Sequence, residues 1–281
     1  MTERLADISA RIESIGALES VVNAMKGIAA ARARVARTQI ESVEGYAATI
    51  AAAMASVLDP EDVPNGKPPS GQLKTGTLMF CAEQGFAGAF SERVLDSMAQ
   101  EQAPKTLFLI GTRGLSVGAA RGIMPGWHAA MPSHTPGIPK LADRITKAIY
   151  AAVDAGKIDR LDVVFTVWNS GRPTVRRQVL FPIDLSDLPN ATLERPLMQV
   201  PAGALVDGLG ADYFHALVCK AALHAFAAEN EARIEAMTAA SSQIDRELKQ
   251  FQATLRRVRQ EAITAEIIEL GTGARTARKS Q

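Results

Sequence analysis

Apolar residues recur at alternating steps of three and four positions at both ends of this chain. In the N-terminal segment only Glu19 and Lys26 interrupt the apolar series, which comprises Leu5, Ile8, Ile12, Ile15, Val22, Ala29, Ala33, Ala36, Ile40, Val43, Ala47, Ile50, Met54 and Val57. The C-terminal segment repeats this spacing at Ile234, Met237, Ser241, Ile244, Leu248, Phe251, Leu255, Val258, Ala262 and Ala265. A repeat sustained over more than about three or four heptads is typical of a coiled coil. The pattern therefore predicts two long helices that pair as an antiparallel coiled coil, with a domain inserted between them.

Proline and glycine mark where the first predicted helix ends. We expect this helix to begin near Thr2 and to run to about Leu58, because Asp59-Pro60 follows and disfavours helical backbone. Residues 60–71 are rich in proline and glycine and are predicted to form a linker.

The second long helix has less distinct boundaries. It is expected to begin near Ala211 and to run to about Leu270, where Gly271 and Gly273 are candidate stops. The residues before it, 184–210, are expected to form a loop.

Between the helical ends, short apolar runs alternate with amphipathic segments. Strands are predicted at 77–81, 107–110, 161–168 and 175–181, and helices at 91–102 and 141–155. This alternation is typical of a largely parallel sheet covered by helices, so the predicted fold class is α/β, with a Rossmann-like domain inserted into the coiled coil. The expected domain organisation is a helix over 1–58, an α/β domain over 72–185 and a helix over 209–271.

The bulk composition narrows the class of protein. The 281 residues carry a formal net charge of +1 and are 47% hydrophobic, which is typical of a soluble protein and argues against a nucleic-acid partner. Cys81 and Cys219 are the only cysteines, so a reducing compartment is indicated. No apolar run approaches the roughly 20 residues that span a bilayer, and the first residues show no secretion signal. We expect a cytosolic protein, or one held at a membrane only through partners.

A nucleotide site is not predicted. Gly85 and Gly88 follow a predicted strand, but the surrounding residues lack the Gly-x-Gly-x-x-Gly fingerprint of dinucleotide sites and the Gly-Lys-Ser/Thr ending of phosphate loops. The two glycines are therefore expected to form a tight turn, and no cofactor is implied.

The histidines and cysteines do not form a recognisable metal or catalytic set. His128 and His134 fall in a predicted loop, while His215 and His224 are nine positions apart on a predicted helix. Helical metal pairs are four positions apart, so no metal site is predicted. Both cysteines fall within predicted elements and are expected to behave as buried apolar residues.

Basic residues cluster on both long helices, at Arg32, Arg34, Arg37, Lys249, Arg256, Arg257 and Arg259. One interpretation is a solvated flank of the coiled coil. The alternative is a surface that contacts acidic loops of a partner, and the residue pattern leaves both open.

Motifs in the two helices resemble those of one family. Residues 228–237 (AENEARIEAM) resemble the SE-x-x-ARM-x-AM stretch of the gamma subunit of F-type rotary ATP synthases. Beginning 22 residues beyond the end of that stretch, residues 259–267 (RQEAITAEI) are similar to the family's RQ-x-x-IT-x-EI signature, at the family's spacing. Residues 11–15 (RIESI) and 24–30 (AMKGIAA) are similar to its N-terminal elements, and residues 85–88 (GFAG) resemble its GLCGG loop.

The resemblance implies a function that agrees with the predicted helix pair. In that family the antiparallel coiled coil is the central stalk inside a ring of three alpha and three beta subunits. The α/β domain contacts the epsilon subunit and the membrane c-ring. The gamma subunit has no catalytic site of its own, and its rotation couples transmembrane proton flow to ATP synthesis or hydrolysis. The implied location is the cytoplasmic face of the bacterial inner membrane, as a peripheral subunit.

The resemblance also implies roles for particular residues. It implies that Arg259, Gln260 and Thr264 on the last helix meet loops of the beta subunits. Met25, opposite them on the first helix, is implied to belong to the same coupling zone. It implies rotor packing for two residues lower on the last helix, Arg233 and Met237.

The chain departs from the family pattern in places. Residues 16–22 lack the family's usual lysines, Ala87 replaces the loop cysteine, and the tail over 272–281 is basic where the family's is apolar. A gamma subunit of a sodium-pumping paralogous ATPase therefore remains an alternative. Two further alternatives are a non-rotary coiled-coil scaffold and an α/β enzyme with helical arms.

Overall fold

The computed structural model describes residues 2–58, 73–98, 106–169, 171–183 and 197–279. The chain forms two compact units, one of residues 1–28 with 235–281 and the other of residues 29–234. The predicted linker at 60–71, and residues 184–196 of the predicted loop, lie outside the described ranges. No helix within the described ranges is long and apolar enough to cross a membrane.

Two long helices, α1 (Thr2–Val57) and α5 (Ala202–Lys279), carry the heptad repeats. Both are rich in alanine and lack internal proline, which favours continuous helix. The end of α1 lies one residue from the predicted position. α5 is longer than predicted at both ends, so the expected start near Ala211 and end near Leu270 were wrong.

Glycine was the source of the error in α5. Gly203, Gly208 and Gly210 fall in the segment that was expected to form a loop, but they lie in helix and none of them has a positive φ. A single glycine costs a helix only about 1 kcal/mol, and extending an existing helix across it avoids the unfavourable nucleation step. Pro201 directly precedes α5, and its carbonyl accepts the Leu205 N–H at 3.1 Å.

In the unit of residues 1–28 and 235–281, the two helices pack through apolar side chains. Val22, Met237 and Ile244 form a buried cluster. The Arg11 guanidinium lies over the Phe251 ring, 5.6 Å from its centroid. Residue numbers rise along α1 as they fall along α5, so the two helices are antiparallel in this unit.

The heptad positions are the buried side of both helices. Every position of the series is buried or partly buried, from Leu5 to Val57 in α1 and from Ile234 to Ala265 in α5. Several large apolar residues outside the series, including Leu18, Val21 and Ile28, are exposed. The helix face that the pattern predicted to be buried is confirmed.

The unit of residues 29–234 contains a five-stranded sheet. Its strands are β1 (Thr75–Phe80), β2 (Thr106–Ile110), β3 (Trp127–Ala129), β4 (Arg160–Asn169) and β5 (Arg172–Phe181), in the order β3-β2-β1-β4-β5. β1 pairs in parallel with β2 and β4, β2 pairs in parallel with β3, and β5 is antiparallel to β4. The sheet is therefore largely parallel, as predicted.

Helices cover both faces of this sheet. One face, with Phe80, Phe108 and Phe165, packs against α5 and against α4 (Ile138–Asp154), which follows a 3-10 turn at Thr135–Gly137. The other face, with Met79, Leu109 and Val164, packs against α2 (Phe90–Asp96). Parallel strands buried on both faces require continuous apolar sequence, and this is why their existence was predictable from short apolar runs.

Three elements differ from the prediction. α2 ends at Asp96, six residues before the expected end. α3 (Thr112–Ala120) was not predicted, because Gly114 and Gly118 lower its helix propensity. β3 was assigned to a loop together with His128, because it has only three residues and no apolar run.

In the unit of residues 29–234, α1 and α5 are also antiparallel neighbours. Arg37 forms an ion pair with Glu231, and the Lys220 Nζ lies 2.9 Å from the Glu44 Oε1. Ala29, Ala33 and Ala36 are buried on α1 in this unit. Their small side chains permit a close approach of neighbouring elements.

Two glycines of α3 provide a test of how closely this helix packs on the strand ends. A Cβ at Gly114 would overlap the Cβ of Cys81, whereas the nearest atom to a Cβ at Gly118 is the Ile123 carbonyl oxygen, at 3.6 Å. We expect Gly114→Ala to lower the free energy of unfolding by about 2 kcal/mol through overpacking. The matched Gly118→Ala should change it by less than about 1 kcal/mol. Urea unfolding followed by fluorescence of Trp127 and Trp168 measures both, and equal stabilities would contradict the close approach.

Candidate functional site

Polar residues converge where the parallel strands end, on the side of the sheet at which α/β proteins commonly bind ligands. Glu83 follows β1, Thr112 follows β2 and Met131 follows β3. The Glu83 Oε2 accepts the backbone N–H of Thr112 at 2.9 Å and that of Met131 at 2.8 Å. Its Oε1 accepts the Thr112 hydroxyl at 2.8 Å. One carboxylate therefore joins the ends of three strands and lies at the N-terminus of α3, where a negative charge is favoured.

A second carboxylate, from α5, binds the same loop. The Glu229 side chain accepts the backbone N–H of Glu83 at 3.0 Å and that of Gln84 at 3.2 Å. Consecutive N–H groups after a strand are the donors that anionic ligands use in other α/β proteins. Here both donors are bonded to a carboxylate of the protein itself.

Arg233, one helical turn beyond Glu229, completes the arrangement. Its Nη2 lies 2.6 Å from the Glu229 Oε1, and its Nε and Nη2 donate to the Gly85 carbonyl at 3.3 Å. Its Nη1 donates to the Asn230 Oδ1 at 3.2 Å, and the Asn230 amide donates to the Phe226 carbonyl at 2.8 Å. The side chains of Glu229 and Arg233 are only 5% and 6% exposed. We call Glu83, Glu229, Asn230 and Arg233 the polar clasp.

The donors and acceptors of the polar clasp are bonded to one another and to backbone groups of the adjoining loops. Arg233 donates to both a carboxylate and a loop carbonyl, and Glu229 accepts two loop N–H groups. The hydrogen bonds between α5 and the loop after β1 are therefore donated from both sides. Charge-assisted bonds of this kind are shorter and roughly twice as strong as neutral ones. The arrangement is thus suited to holding α5 on the sheet.

The loop that the clasp holds has a constrained backbone. Gly88 has φ +56°, so its predicted place in a tight turn is confirmed. Phe86 also has a positive φ, 60°, although it carries a bulky side chain that extends into solvent. Ser91 supplies a further bond, from the Ala82 N–H to its Oγ at 3.1 Å.

The two cysteines lie in environments that suppress thiolate formation. Burial, with the negative charges of Glu92 and Glu229, raises the pKa of Cys81 to about 12. Burial and the charge of Asp143 raise the pKa of Cys219 to about 11. Both cysteines are buried, as the sequence predicted.

The two helical histidines lie apart from the polar clasp. His215 Nε2 lies 3.0 Å from Asp143 Oδ1, on the α4 side of the sheet. His224 stacks on the Phe165 ring with centroids 5.7 Å apart. Burial lowers the pKa of His224 in spite of the nearby Glu44 carboxylate, so its neutral form is favoured. No cluster of three or more potential metal ligands occurs among the described residues.

The predicted rotor-packing residues lie in different surroundings. Arg233 belongs to the polar clasp, in the unit of residues 29–234. Met237 is buried in the apolar cluster of the other unit, and Met25 packs partly buried against that same cluster. The structure therefore brings Met25 and Met237 together.

Arg259, Gln260 and Thr264 lie elsewhere on α5, with exposed side chains. The Thr264 hydroxyl donates to the Gln260 carbonyl at 2.8 Å. Arg259 follows Met237 by 22 positions, which is about 33 Å of helix. Met25 is therefore not beside Arg259, and the predicted coupling zone is two separate surfaces of this unit.

Apolar side chains accompany the exposed polar ones on this part of α5. Ile263 is 58% exposed and Ile267 is 63% exposed. They lie four and eight positions beyond Arg259, so all three share one helix face. We call Arg259, Gln260, Ile263, Thr264 and Ile267 the mixed face. Exposed large apolar side chains next to a cation are typical of a surface that a partner covers.

Three residues of the polar clasp, Glu83, Glu229 and Asn230, were missed by the sequence prediction. Glu83 and Glu229 are 146 positions apart, so no local pattern connects them. The available signal was an acidic residue four positions before Arg233 on a helix, but such pairs are ordinary on solvated helices.

Comparison with known proteins places the whole chain in one group. The family model described as ATP synthase matches residues 4–276. The ATP synthase gamma chain of Frankia casuarinae is 27% identical over 294 residues, covering 98% of each chain. That of Chlorobium luteolum is 27% identical over 286 residues, covering 96% of this chain and 97% of the relative.

Solved structures with a similar fold include two rotor assemblies. The Euglena gracilis mitochondrial ATP synthase rotor superposes with a TM-score of 0.66 at 14% identity, covering 94% of this chain and 100% of that chain. The Tetrahymena thermophila mitochondrial ATP synthase central stalk and c-ring structure gives a TM-score of 0.58 at 16% identity, covering 79% of this chain and 99% of that chain. At these identities the likeness concerns the fold.

Two Glu/Arg pairs on α5 test the contribution of the polar clasp to stability. Glu229–Arg233 is buried, whereas Arg257–Glu261 has the same four-residue spacing but side chains that are 68% and 56% exposed. Arg233→Met leaves the Glu229 carboxylate buried without its partner, so we expect a loss of about 3–5 kcal/mol in the free energy of unfolding. Arg257→Met should change it by less than about 0.5 kcal/mol. Urea unfolding monitored by tryptophan fluorescence compares them, and similar small losses would show that the polar clasp does not stabilise the fold.

The raised thiol pKa values predict low cysteine reactivity. At pH 8, below both values, we expect negligible labelling of Cys81 and Cys219 by a thiolate-specific disulfide reagent in the folded chain. Both should react when the chain is unfolded in urea, which serves as the control. Rapid labelling of either cysteine in the folded state would contradict the burial described here.

Proposed function

This chain belongs to the ATP synthase family, and we propose that it works there as the gamma subunit that turns inside the catalytic ring of an F-type enzyme. It is a non-catalytic subunit of that complex. The observation that carries the proposal is the match over nearly the entire chain, which includes both long helices and the sheet between them. The absence of a recognised catalytic set in the sequence agrees with a mechanical role.

We propose that the long helices form an antiparallel coiled coil into which a Rossmann-like domain is inserted. The proposed division into a first helix, an α/β domain and a last helix follows the expected ranges 1–58, 72–185 and 209–271, with the last helix extended to the bounds of α5 (Ala202–Lys279). Antiparallel order within each unit supports the coiled coil, and the strand order β3-β2-β1-β4-β5 supports the Rossmann-like domain.

The proposed partners are three alpha and three beta subunits, an epsilon subunit and the membrane c-ring. The similar structures are of a rotor, a central stalk with c-ring, and an assembly of F1 with c-ring. We place the protein at the cytoplasmic face of the bacterial inner membrane, attached only through these partners. No nucleic-acid partner and no cofactor are proposed.

The mixed face of α5 is the proposed contact for the beta subunits. Arg259, Gln260 and Thr264 present a cation, an amide and a hydroxyl to solvent, which suits acidic and polar loops. Exposed Ile263 and Ile267 would exclude water around such contacts and strengthen them. Met25 remains a proposed coupling residue, acting from the separate apolar cluster in which it packs with Met237. The rotor-packing role proposed for Arg233 consists of its bonds in the polar clasp, which hold α5 on the loop after β1.

The proposed mechanism is a shift of conformational populations in the ring. A rod whose faces differ stabilises a different conformation in each neighbour, and turning it moves each beta subunit through the same series. Reversing a two-state population from 1:99 to 99:1 requires a difference of about 5.5 kcal/mol in binding free energy. Hydrogen bonds to charged groups contribute about 1.5–3 kcal/mol each, so two to four contacts that form in only one orientation are sufficient.

Family membership disfavours the alternatives. A non-rotary scaffold or an α/β enzyme with helical arms would not require relatives aligned over both helices and the sheet. A sodium-pumping paralogue would differ from a proton-pumping enzyme in the membrane sector, so the choice of ion does not alter the role proposed for this chain.

A pair of equivalent positions on α5 tests the mixed face. Arg259→Ala with Gln260→Ala removes an exposed cation and an amide. Lys249→Ala with Gln250→Ala does the same ten residues earlier, where Thr254 donates to the Gln250 carbonyl as Thr264 does to that of Gln260.

We expect the Arg259/Gln260 variant to lower ATP-driven pumping by about 10- to 100-fold, since one or two charge-assisted contacts are lost. Assembly with the ring should be preserved, because both side chains are exposed. The Lys249/Gln250 control should retain most activity. Unchanged turnover and pumping in the first variant, or equal loss in both, would refute the assignment of this face.

A further inference from the structure

β5 (Arg172–Phe181) is a ten-residue strand at one edge of the sheet. It is last in the strand order and pairs with β4 along one side. No described strand pairs with its other side. The opposite edge strand, β3, has three residues, whereas β5 has ten. Proteins commonly shorten or cover exposed edges to avoid unwanted pairing, so an edge of this length with no described strand on its outer side is suited to pairing with another chain.

The register with β4 divides the β5 side chains between two faces of different chemistry. Thr174 lies opposite Val167 and Arg176 opposite Phe165, so one face of β5 carries four exposed polar residues, Arg172, Thr174, Arg176 and Gln178. The other face carries Pro173, Val175, Arg177 and Val179, of which Arg177 lies near Asp162 and Val179 is 46% exposed.

Positive charge on β5 is only partly neutralised. The strand contains three arginines and no acidic residue. Arg177 Nε lies 3.9 Å from Asp162 Oδ2. Arg172 and Arg176 have no carboxylate within ion-pair distance among the described residues. Burial is the main cause of the lowered pKa of His224, and the nearby charge of Arg176 adds to it.

We propose that β5 is the docking strand for a β-strand of another subunit, one whose side chains alternate between acidic and apolar. This rests on the proposed function, because the partner is a subunit of the same ATP synthase. Side chains directly opposite on adjacent strands share a face and lie about 5 Å apart. Acidic side chains of the added strand therefore meet Arg172 and Arg176, while its apolar side chains meet Val175 and Val179. Backbone hydrogen bonds supply the affinity, and this alternation supplies the selectivity.

Residue-resolved amide hydrogen exchange tests the backbone part, comparing the chain alone with the assembled complex. Alternate β5 amides already bond to β4, so strand addition should slow the other, outward-facing amides by at least about 100-fold. A helix or loop docked on a face would not produce this alternation and would overturn the proposal. Equal exchange of the outward-facing amides in the chain alone and in the complex would also overturn it. The arginines and Pro173 would then serve only to prevent pairing at this edge.

Charge reversal tests the side-chain part. The Arg172→Glu/Arg176→Glu variant should weaken retention of one partner subunit in the complex by at least about tenfold, because like charges would then face each other. The control, Lys140→Glu/Arg144→Glu, makes the same change in charge at exposed positions of α4 and should retain that subunit.

Restoration of binding by replacing the partner's acidic residues with lysine would identify the added strand. Unchanged retention in the β5 variant would overturn the proposal. If the wild-type chain fails to join the alpha-beta ring at all, the proposed function fails; if it joins and β5 remains open, only the docking strand fails.

Discussion

The buried pairing of Glu229 with Arg233, and its bonds to the loop after β1, connect α5 to the sheet of its unit. Removing two charges from water is costly, and a buried ion pair recovers that cost only when its remaining donors and acceptors are also satisfied. Here the Glu83 and Gln84 N–H groups and the Gly85 carbonyl satisfy them. Since an incomplete buried network is strongly unfavourable, the contacts are interdependent, and the arrangement defines one position of α5 along the strand ends.

The same arrangement explains why an α/β domain can serve a mechanical role. The ends of parallel strands and the N-termini of the following helices offer N–H groups that commonly bind anionic ligands. In this chain Glu83 and Glu229 accept those bonds from Thr112, Met131, Gln84 and Glu83. Protein carboxylates thereby use the donors of the fold for internal attachment, which suits a subunit that transmits force.

Different parts of α5 serve different contacts. In the unit of residues 1–28 and 235–281, heptad positions are directed to α1, while Arg259, Gln260 and Ile263 remain exposed. In the unit of residues 29–234, α5 is buried against the sheet and almost every side chain from Phe214 to Arg233 is at least partly covered. A gamma subunit needs both properties, since one region must be held firmly while another presents distinct faces to its surroundings.

The sequence by itself determined the elements whose signal is local or periodic. The heptad series identified the buried face of both helices, and short apolar runs located β1, β2, β4 and most of β5, because a buried strand or helix face must be apolar at fixed intervals. Signals shorter than these failed: three-residue β3 and glycine-containing α3 were missed, and glycines obscured the first turns of α5. Motif resemblance identified the family, and it predicted roles for Arg233, Met25 and Met237 without indicating what surrounds them.

Only the tertiary structure decided which distant residues meet. Glu83 reaches Thr112 and Met131, and Glu229 reaches Glu83 across 146 positions, because strand order and the return of α5 bring them together. It also separated Met25 from Arg259 by the rise of α5, and it placed β5 at an edge of the sheet where no described strand pairs with its outer side. Periodicity specifies which side of an element is buried, whereas the partner on that side depends on how the chain returns, and a single sequence does not contain that information in any local pattern.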